Sequence, residues 1–485
     1  KLAANQIHNA SALIIDWKTQ EVKAYVGNAQ SGVAHDEAVD IIRSVRSPGS
    51  LLKPILYAYA LHDGLISPKQ LLNDIPLFYE GFSPKNFDHQ YYGAVQADEA
   101  LSRSLNIPFV NLLRSYGVAP FYNQIKKMGF ESLRQPASHY GLSLILGGAE
   151  ISPWEVGHLY SQMARSLTYD SSQVDLNILS QGQAIANKKQ QLHAGAAFMT
   201  LKAMKELQRP GEEFGWERFS GAQSIAWKTG TSFGFRDAWA VGINQRYVVV
   251  IWAGNADGEG RPGLVGVRAA APLLFQLMQL LEDDEEDFHM PIKDLQTAKI
   301  CSKSGYLAAE ACPEVTNTLI NKSYKLRTAC PFHQIVFLDQ QKQLRVNASC
   351  YPIHRAVSKA YLVLPPAVSY YYKPHHADFE TLPPWQEGCN PMSQEPMELI
   401  YPKDLTTLFI PKELDGQEGR AIFELAHQKK EATVYWYVDE AFIGRTSEQH
   451  QMEIGSLKAG MHQLYLIDED ANYLKLYFEV VARKQ

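Results

Sequence analysis

Ser224-Ile225-Ala226-Trp227-Lys228-Thr229-Gly230-Thr231-Ser232-Phe233-Gly234-Phe235-Arg236-Asp237 is the stretch whose reading decides the fold. Its centre, Gly230-Thr231-Ser232-Phe233-Gly234, matches Gly-x-Ser-x-Gly, the pattern of a nucleophile elbow. That elbow needs a strand, a sharp turn and then a helix. In this chain the next run, Asp237 to Asn244, is again strand-like, and beyond the tight Gln245-Arg246 connection lies a third, Tyr247 to Asn255. Together with Ser224 to Thr231 these read as an antiparallel meander, so Ser232 is rejected as a nucleophile. Lys228 inside an apolar strand needs a reason, and Gly230 two residues on permits close backbone approach by a ligand. A helix is expected from about Ala269 to Leu281, with a Leu and Phe face for the sheet, and the acidic run Glu282 to Asp287 closes the domain.

Working back toward the start, Ser11 to Asp16 and Glu21 to Gly27 read as two strands around Lys18-Thr19-Gln20. A loop ending Arg46-Ser47-Pro48-Gly49 carries turn chemistry and leads into Ser50-Leu51-Leu52-Lys53. Leu51, Leu52, Ile55, Leu56, Tyr59 and Ala60 recur at helical spacing. Residues three apart share a helix face, so the Lys53 amine can reach the Ser50 hydroxyl, which is a poor nucleophile without a base. Pro54 falls in the first turn, where a missing N–H costs least, and the helix start directs N–H groups toward Ser50.

From Asp98 to Arg103 a short helical pattern runs into Ser104-Leu105-Asn106. Pro108 disfavours the helical region at Ile107, so Ser104 and Asn106 are expected on a loop between two helices. Taken singly, they read as a helix stop and a cap. Ser152 and Glu155 form a capping box with Pro153 at the first helical position, which makes Glu155 structural.

Bulk properties narrow the function. A chain of 485 residues holds two or three domains, and 46% hydrophobic with 20% charged residues is an ordinary globular composition. The net charge of −6 argues against a nucleic-acid partner. No apolar run approaches ~20 residues, so no membrane span is expected. Lys1 to Gln6 lacks a signal-peptide core and an initiator Met, which points to sequence upstream. All five cysteines fall late: Cys301, Cys312, Cys330, Cys350 and Cys389. This fits disulfides in an oxidising compartment, with Cys301, Cys312, Cys330 and Cys350 as candidates, Cys301–Cys312 first and one thiol left over. The rival is a zinc site with Cys330-Pro331-Phe332-His333 supplying two ligands. Paired Cys-x-x-Cys knuckles are missing, so disulfides are favoured and no metal is expected.

Three fragments now stand in order: Ser50-x-x-Lys53, Ser104-x-Asn106 and Lys228-Thr229-Gly230. This trio is a known signature of β-lactamases and penicillin-binding proteins. The chain resembles the penicillin-recognising serine transferases, and within them the class A penicillin-binding proteins of the 1C type. The resemblance rests on Pro48 to Pro54, Ser104 to Pro108, Gly141 to Pro153 and Trp227 to Trp239. It runs from about Ile7 to Leu281, and the C-terminal third resembles that subfamily's extension. It implies a mixed α/β domain with helices on both faces of an antiparallel sheet.

The implied activity is D,D-transpeptidation of peptidoglycan stem peptides, without cofactor, inhibited by β-lactams. Ser50 is then the nucleophile and Lys53 its base, with its pKa lowered by Lys228 nearby. Ser104 relays a proton to the leaving amine and Asn106 binds the substrate amide. Lys228 and Thr229 hold the terminal carboxylate, Gly230 and Thr231 complete the binding strand, and the backbone N–H groups of Ser50 and Thr231 form the oxyanion hole. A class A β-lactamase adds a Glu-x-x-x-Asn loop, and none lies between Ser50 and Lys228, so slow deacylation is expected. A penicillin-binding sensor or scaffold, or a carboxypeptidase, would use the same residues. The family's bifunctional members carry a glycosyltransferase domain and an anchor ahead of this one. The resemblance therefore places a longer parent at the periplasmic face of a bacterial inner membrane.

Residues 301–390 mix cysteines, prolines and little periodicity, as a stapled connector. Short β-like runs then recur at Thr407 to Ile410, Ala421 to Ala426, Thr433 to Val438, Gln463 to Asp468 and Tyr473 to Val481. They suggest a small immunoglobulin-like sandwich, with Val434, Trp436 and Val438 alternating with Tyr435 and Tyr437. Its exposed aromatics offer a surface for glycan or for other cell-wall synthesis proteins, or serve as a structural cap. The expected domains are 1–285, 286–395 and 396–485.

Overall fold

The computed structural model describes the chain apart from residues 1–4, 30–34, 79–81, 169–175, 177–191, 207–224, 282–286, 325–328, 390–395, 411–418, 430, 456, 471 and 482–485. The acidic run foreseen at 282–287 lies almost wholly outside the described residues. The chain divides into two compact units whose segments alternate along the sequence. One comprises 1–72, 96–300 and 317–327, and the other 73–95, 301–316 and 328–485.

The first unit is built on a five-stranded sheet. β1 (Asn9–Asp16) and β2 (Glu21–Val26) form a hairpin. The helices α1 (Lys53–His62), α2 (Ala97–Ser102), α3 (Asn106–Tyr116) and α4 (Pro153–Arg165) come next. β3 (Ala226–Thr231), β4 (Asp237–Ile243) and β5 (Tyr247–Gly254) form the meander, and α5 (Ala271–Gln279) comes after it. The spatial order is β2-β1-β5-β4-β3, every pair antiparallel. β4 and β5 are buried at every residue, as strands covered on both faces should be.

The period of two in β1 assigns the covers. Ile14 packs with Trp227, Val249, Leu274 and Phe275 in the core under α5. Its neighbours Leu13 and Ile15 point the other way, where a Cβ on Gly157 of α4 would lie 2.6 Å from Ile15 Cδ1 and 3.0 Å from Leu13 Cδ2. Helices therefore cover both faces. The Ser152–Glu155 capping box is present, and Glu155 also accepts from the N–H and hydroxyl of Ser132, at 2.7 and 2.6 Å. The helix expected from about Ala269 to Leu281 is α5, Ala271–Gln279, and a separate single turn, Gly266–Ala269, precedes it. Pro272 has no N–H to continue the first turn, so it sits at the start of a new helix.

A difference from expectation concerns Asn106. It opens α3, with Ile107 and Pro108 in the first turn, and so does not stand on the preceding loop. Because the helix begins there, Pro108 occupies a position where no N–H partner is needed.

In the second unit the C-terminal strands make a sandwich. β6 (Met397–Tyr401), β7 (Thr406–Phe409), β8 (Arg420–His427), β9 (Val434–Val438), β10 (Ala441–Thr446), β11 (Gln451–Gly455), β12 (Gly460–Asp468) and β13 (Tyr473–Val481) form two sheets. Their orders are β6-β8-β11 and β7-β13-β12-β9-β10, the arrangement of an immunoglobulin-type sandwich. Val434, Trp436 and Val438 face Phe423, Leu425, Leu464, Leu466 and Phe478 in one core, while Tyr435 and Tyr437 are half-buried. Asp439 and Glu440, both at positive φ, make the two-residue turn between β9 and β10.

The cysteine pairing departs from expectation. Cys350 is bonded to Cys389, with Cα atoms 5.2 Å apart, inside the usual disulfide range. Cys301, Cys312 and Cys330 are free thiols, so neither Cys301–Cys312 nor the single leftover thiol is found. Sequence spacing could not reveal this, because the partners are chosen by chain reversal. Cys350 reaches Cys389 across 39 residues.

Trp436 is fully buried, and its indole N–H donates to Thr446 Oγ1 at 2.8 Å. Trp436→Ala should cost about 3–5 kcal/mol through the lost contacts and cavity. Hydrogen exchange of the β9 and β12 amides under denaturant reads this directly. An unchanged opening free energy would contradict the assignment of this core.

Candidate active site

Ser50 lies in a one-turn 3-10 helix, Gly49–Leu52, that runs directly into α1. Between Pro48 and Leu61 every residue is buried except Ser50, which is half-buried. Ser50 is thus the point at which this otherwise sealed segment meets solvent. The turn is fastened from several directions. Arg46 and Ile151 exchange backbone hydrogen bonds of 2.9 and 2.8 Å. Ser47 Oγ donates to the Gly147 carbonyl at 2.9 Å, and the Trp239 indole donates to the Ser47 carbonyl at 2.8 Å. Tyr160 donates to the Leu51 carbonyl at 2.7 Å, and burial holds its phenol well above its ordinary pKa, so it stays a donor.

The turn touches β3 backbone to backbone. Gly49 has φ +54°, and a Cβ there would stand 2.5 Å from Thr231 O and 2.7 Å from Thr231 N. A Cβ on Gly230 would stand 2.3 Å from the Pro48 carbonyl oxygen. The close approach foreseen at Gly230 is therefore made by the chain's own Pro48 carbonyl. Thr231 is fixed from its other side, since its Oγ1 accepts from the Gly266 N–H at 3.0 Å.

Two amines converge on Ser104. Lys53 is 0% exposed and Lys228 is 1% exposed. Lys53 Nζ donates to the Ser104 carbonyl and to Asn106 Oδ1, each at 2.7 Å, with the Phe109 ring centroid 5.8 Å away. Lys228 Nζ donates to Ser104 Oγ at 2.8 Å and to the Thr229 carbonyl at 2.7 Å. Ser104 thus serves one amine with its backbone oxygen and the other with its side chain. It does so at φ +55°, a conformation rare for a residue with a side chain and typical of functional sites. Lys228 can point here because Trp227, one residue earlier, faces the core under α5, and strand side chains alternate.

Ser50, Lys53, Ser104, Asn106, Lys228 and the Thr229-Gly230-Thr231 strand all lie in the first unit, and the structure joins all but Ser50 through these hydrogen bonds and the Gly49 and Gly230 contacts. Ser232 is not part of the cluster. Its Oγ accepts from the N–H groups of Asp237 at 2.8 Å and Arg236 at 3.2 Å. That closes the β3–β4 turn and disposes of the elbow reading. Ser47, Gly147, Tyr160 and Gly266 were not singled out as site residues from the sequence. Their contributions are hydrogen bonds across 35 to 192 residues and absent Cβ atoms, which leave no local pattern.

A half-exposed serine thus opens a helix that abuts an antiparallel sheet, and two buried amines meet at Ser104 in the same unit. The class of protein follows from comparison with known families. The profile of the penicillin binding protein transpeptidase domain matches residues 10–278, and the Penicillin-Binding Protein C-terminus family matches residues 386–478. Penicillin-binding protein 1C of Escherichia coli is 36% identical over 280 residues, covering 56% of this chain and 34% of that protein. Penicillin-binding protein 1B of Vibrio cholerae is 31% identical over 269 residues, covering 52% and 33%. The crystal structure of penicillin-binding protein 1A from Haemophilus influenzae superposes with a TM-score of 0.54 at 19% identity, over 66% of this chain and 54% of that one. This likeness supports the fold. The chain belongs to the penicillin-binding protein transpeptidase family. It spans about a third of the length of the two relatives matched by sequence, and among the described residues no helix is long and apolar enough to cross a membrane.

Gly49→Ala tests the backbone contact. A methyl cannot fit against Thr231, so the Ser50 turn must shift, and a displacement of this kind costs roughly 10²-fold in acylation rate. Stopped-flow measurement with a fluorescent penicillin checks it. An acylation rate equal to wild type would show that the turn is free to move.

Proposed function

We propose that the chain is a D,D-transpeptidase that cross-links peptidoglycan stem peptides and is acylated by β-lactams. The observation that carries this reading is the bridge at Ser104, which ties Lys228 to Lys53, the residue one helical turn after Ser50. Ser50 Oγ attacks the carbonyl of the penultimate D-alanine, and Lys53 takes its proton. A positive Lys228 nearby disfavours a second charge and so favours neutral Lys53. The oxyanion is stabilised by the backbone N–H groups of Ser50 and Thr231, which the Gly49–Thr231 contact supports as neighbours. The C–N bond breaks as Ser104 relays to the leaving amine the proton that Lys53 took from Ser50, so that Lys53 is neutral again and D-alanine departs. An amine of a second stem then attacks the ester; its proton passes through the same groups to Ser50 Oγ as the C–O bond breaks, which forms the cross-link and restores the serine.

Asn106 donates from its amide to the stem-peptide carbonyl. Lys228 with Thr229 holds the terminal carboxylate, a charge-assisted contact. Gly230 lets the strand lie against the nucleophile turn, and Thr231 presents its N–H. The place of action is the periplasmic face of a bacterial inner membrane, where stem peptides are exposed.

The test uses donor and acceptor stem peptides together with fluorescent penicillin. We expect label on Ser50 by peptide mass spectrometry, released D-alanine, and a cross-linked dimer. Label without D-alanine release would indicate a sensor or scaffold, and release without dimer a carboxypeptidase; either overturns the proposal. Ser50→Ala should abolish labelling. Ser104→Ala should keep the label site but slow acylation by roughly 10²–10⁴-fold, the range of a lost proton relay.

A further inference from the structure

The three free thiols of the second unit are not scattered. Cys301, Cys312 and Cys330 bring their sulfurs together with a ring nitrogen of His333, all four ligand atoms within 4.8 Å of one another. Cys301 Sγ and Cys330 Sγ stand 3.3 and 3.5 Å from His333 Nδ1. A tetrahedral zinc ion with Zn–S of about 2.3 Å and Zn–N of about 2.0–2.1 Å holds its ligands about 3.5–3.8 Å apart. The two sulfur–nitrogen distances are close to that spacing, and a set of four protein donors matches a closed structural site, which leaves no position for substrate.

The surroundings are those of a built site. Cys301 ends the strand Leu295–Cys301, and the chain reverses at once. The Gly305 N–H donates to the Cys301 carbonyl at 2.9 Å and the Cys301 N–H to the Tyr306 carbonyl at 2.8 Å, with Gly305 at φ +68°. This reversal aims Ser304 Oγ at Cys330 Sγ, 3.1 Å away. The Ala309 N–H donates to Cys312 Sγ at 3.3 Å. Donors aimed at sulfur stabilise thiolates and orient them, the task of outer-shell groups at metal centres. Tyr306 and Phe332 pack edge to face beside the sulfurs, ring centroids 5.6 Å apart. Cys330-Pro331-Phe332-His333 places two ligands where the strand His333–Leu338 begins.

We propose that Cys301, Cys312, Cys330 and His333 form a structural zinc site. Binding would release three thiol protons and leave three thiolates and one neutral imidazole around the ion, with a net charge of −1 that the Ser304 and Ala309 donors offset. A disulfide between any two of the thiols would leave the third, and His333, without a role. The site fastens segments 301–312 and 330–333 where the sequence has little periodicity of its own. It is independent of the acyl-transfer chemistry and involves none of those residues.

The test uses the whole chain, purified without chelator or reductant. We expect about one zinc per chain by elemental mass spectrometry, and protection of these three cysteines from alkylation until a chelator is added. Replacement by cobalt(II) should give the visible d–d bands of tetrahedral thiolate coordination. Ser304→Ala retains all four ligands and should weaken zinc by roughly 10–100-fold in chelator competition, a readout that does not depend on folding of a ligand variant. Peptide mapping that finds a disulfide among Cys301, Cys312 and Cys330 would overturn the proposal. So would a zinc-incubated protein that retains no metal and leaves all three thiols freely alkylated.

Discussion

Two lysine amines withdrawn from water set the terms for the first unit. Burying a polar group costs free energy unless protein atoms replace its hydration, and Lys53 and Lys228 are both buried. Ser104 resolves much of this for the pair, its carbonyl taking one amine and its hydroxyl the other. Presenting both oxygens requires φ +55°, which costs on the order of 1–3 kcal/mol for a residue with a Cβ. The α2–α3 connection, α1 and β3 are consequently locked to one another. A shift of any of the three leaves a buried amine without its oxygen at Ser104.

Around that lock, precision comes from backbone contacts. Gly49 against Thr231, Gly230 against Pro48, Gly147 against Gly49 and Gly266 against Gly230 leave no room for a side chain. Each glycine removes a Cβ where the Ser50 turn, the Thr229-Gly230-Thr231 strand and the segments beside them press together. The five-stranded sheet, covered by α4 and α5, gives that strand a rigid support. Ser50 remains the accessible residue in a buried stretch. Catalytic groups on rigid elements with locked supports are held more accurately than groups on loops.

The second unit meets a different constraint. Its sandwich buries Trp436, Phe423 and Phe478 in an apolar core of its own, whereas residues 301–390 have few apolar residues in register. There the fold relies on cross-links: Cys350–Cys389 and the convergence of three thiols on His333. Segments too irregular to build a core are commonly stabilised by disulfides or metals.

Much of this was legible in the sequence, for a physical reason: local periodicity and turn chemistry are written in neighbouring residues. The meander 226–254, the hairpin 9–26, the Ser152–Glu155 cap and the alternation of Val434, Trp436 and Val438 all arise from patterns a few residues long. So does the motif trio, because Ser50-x-x-Lys53, Ser104-x-Asn106 and Lys228-Thr229-Gly230 are each local. Tertiary structure alone decided what depends on atoms meeting across the chain. It set which oxygen of Ser104 serves which lysine, and it brought the Pro48 carbonyl against Gly230. It started α3 at Asn106, where Pro108 became harmless. It also sent Cys350 to Cys389 and gathered Cys301, Cys312, Cys330 and His333, because a thiol's partner is chosen by where the chain turns back, and spacing along the sequence does not record that.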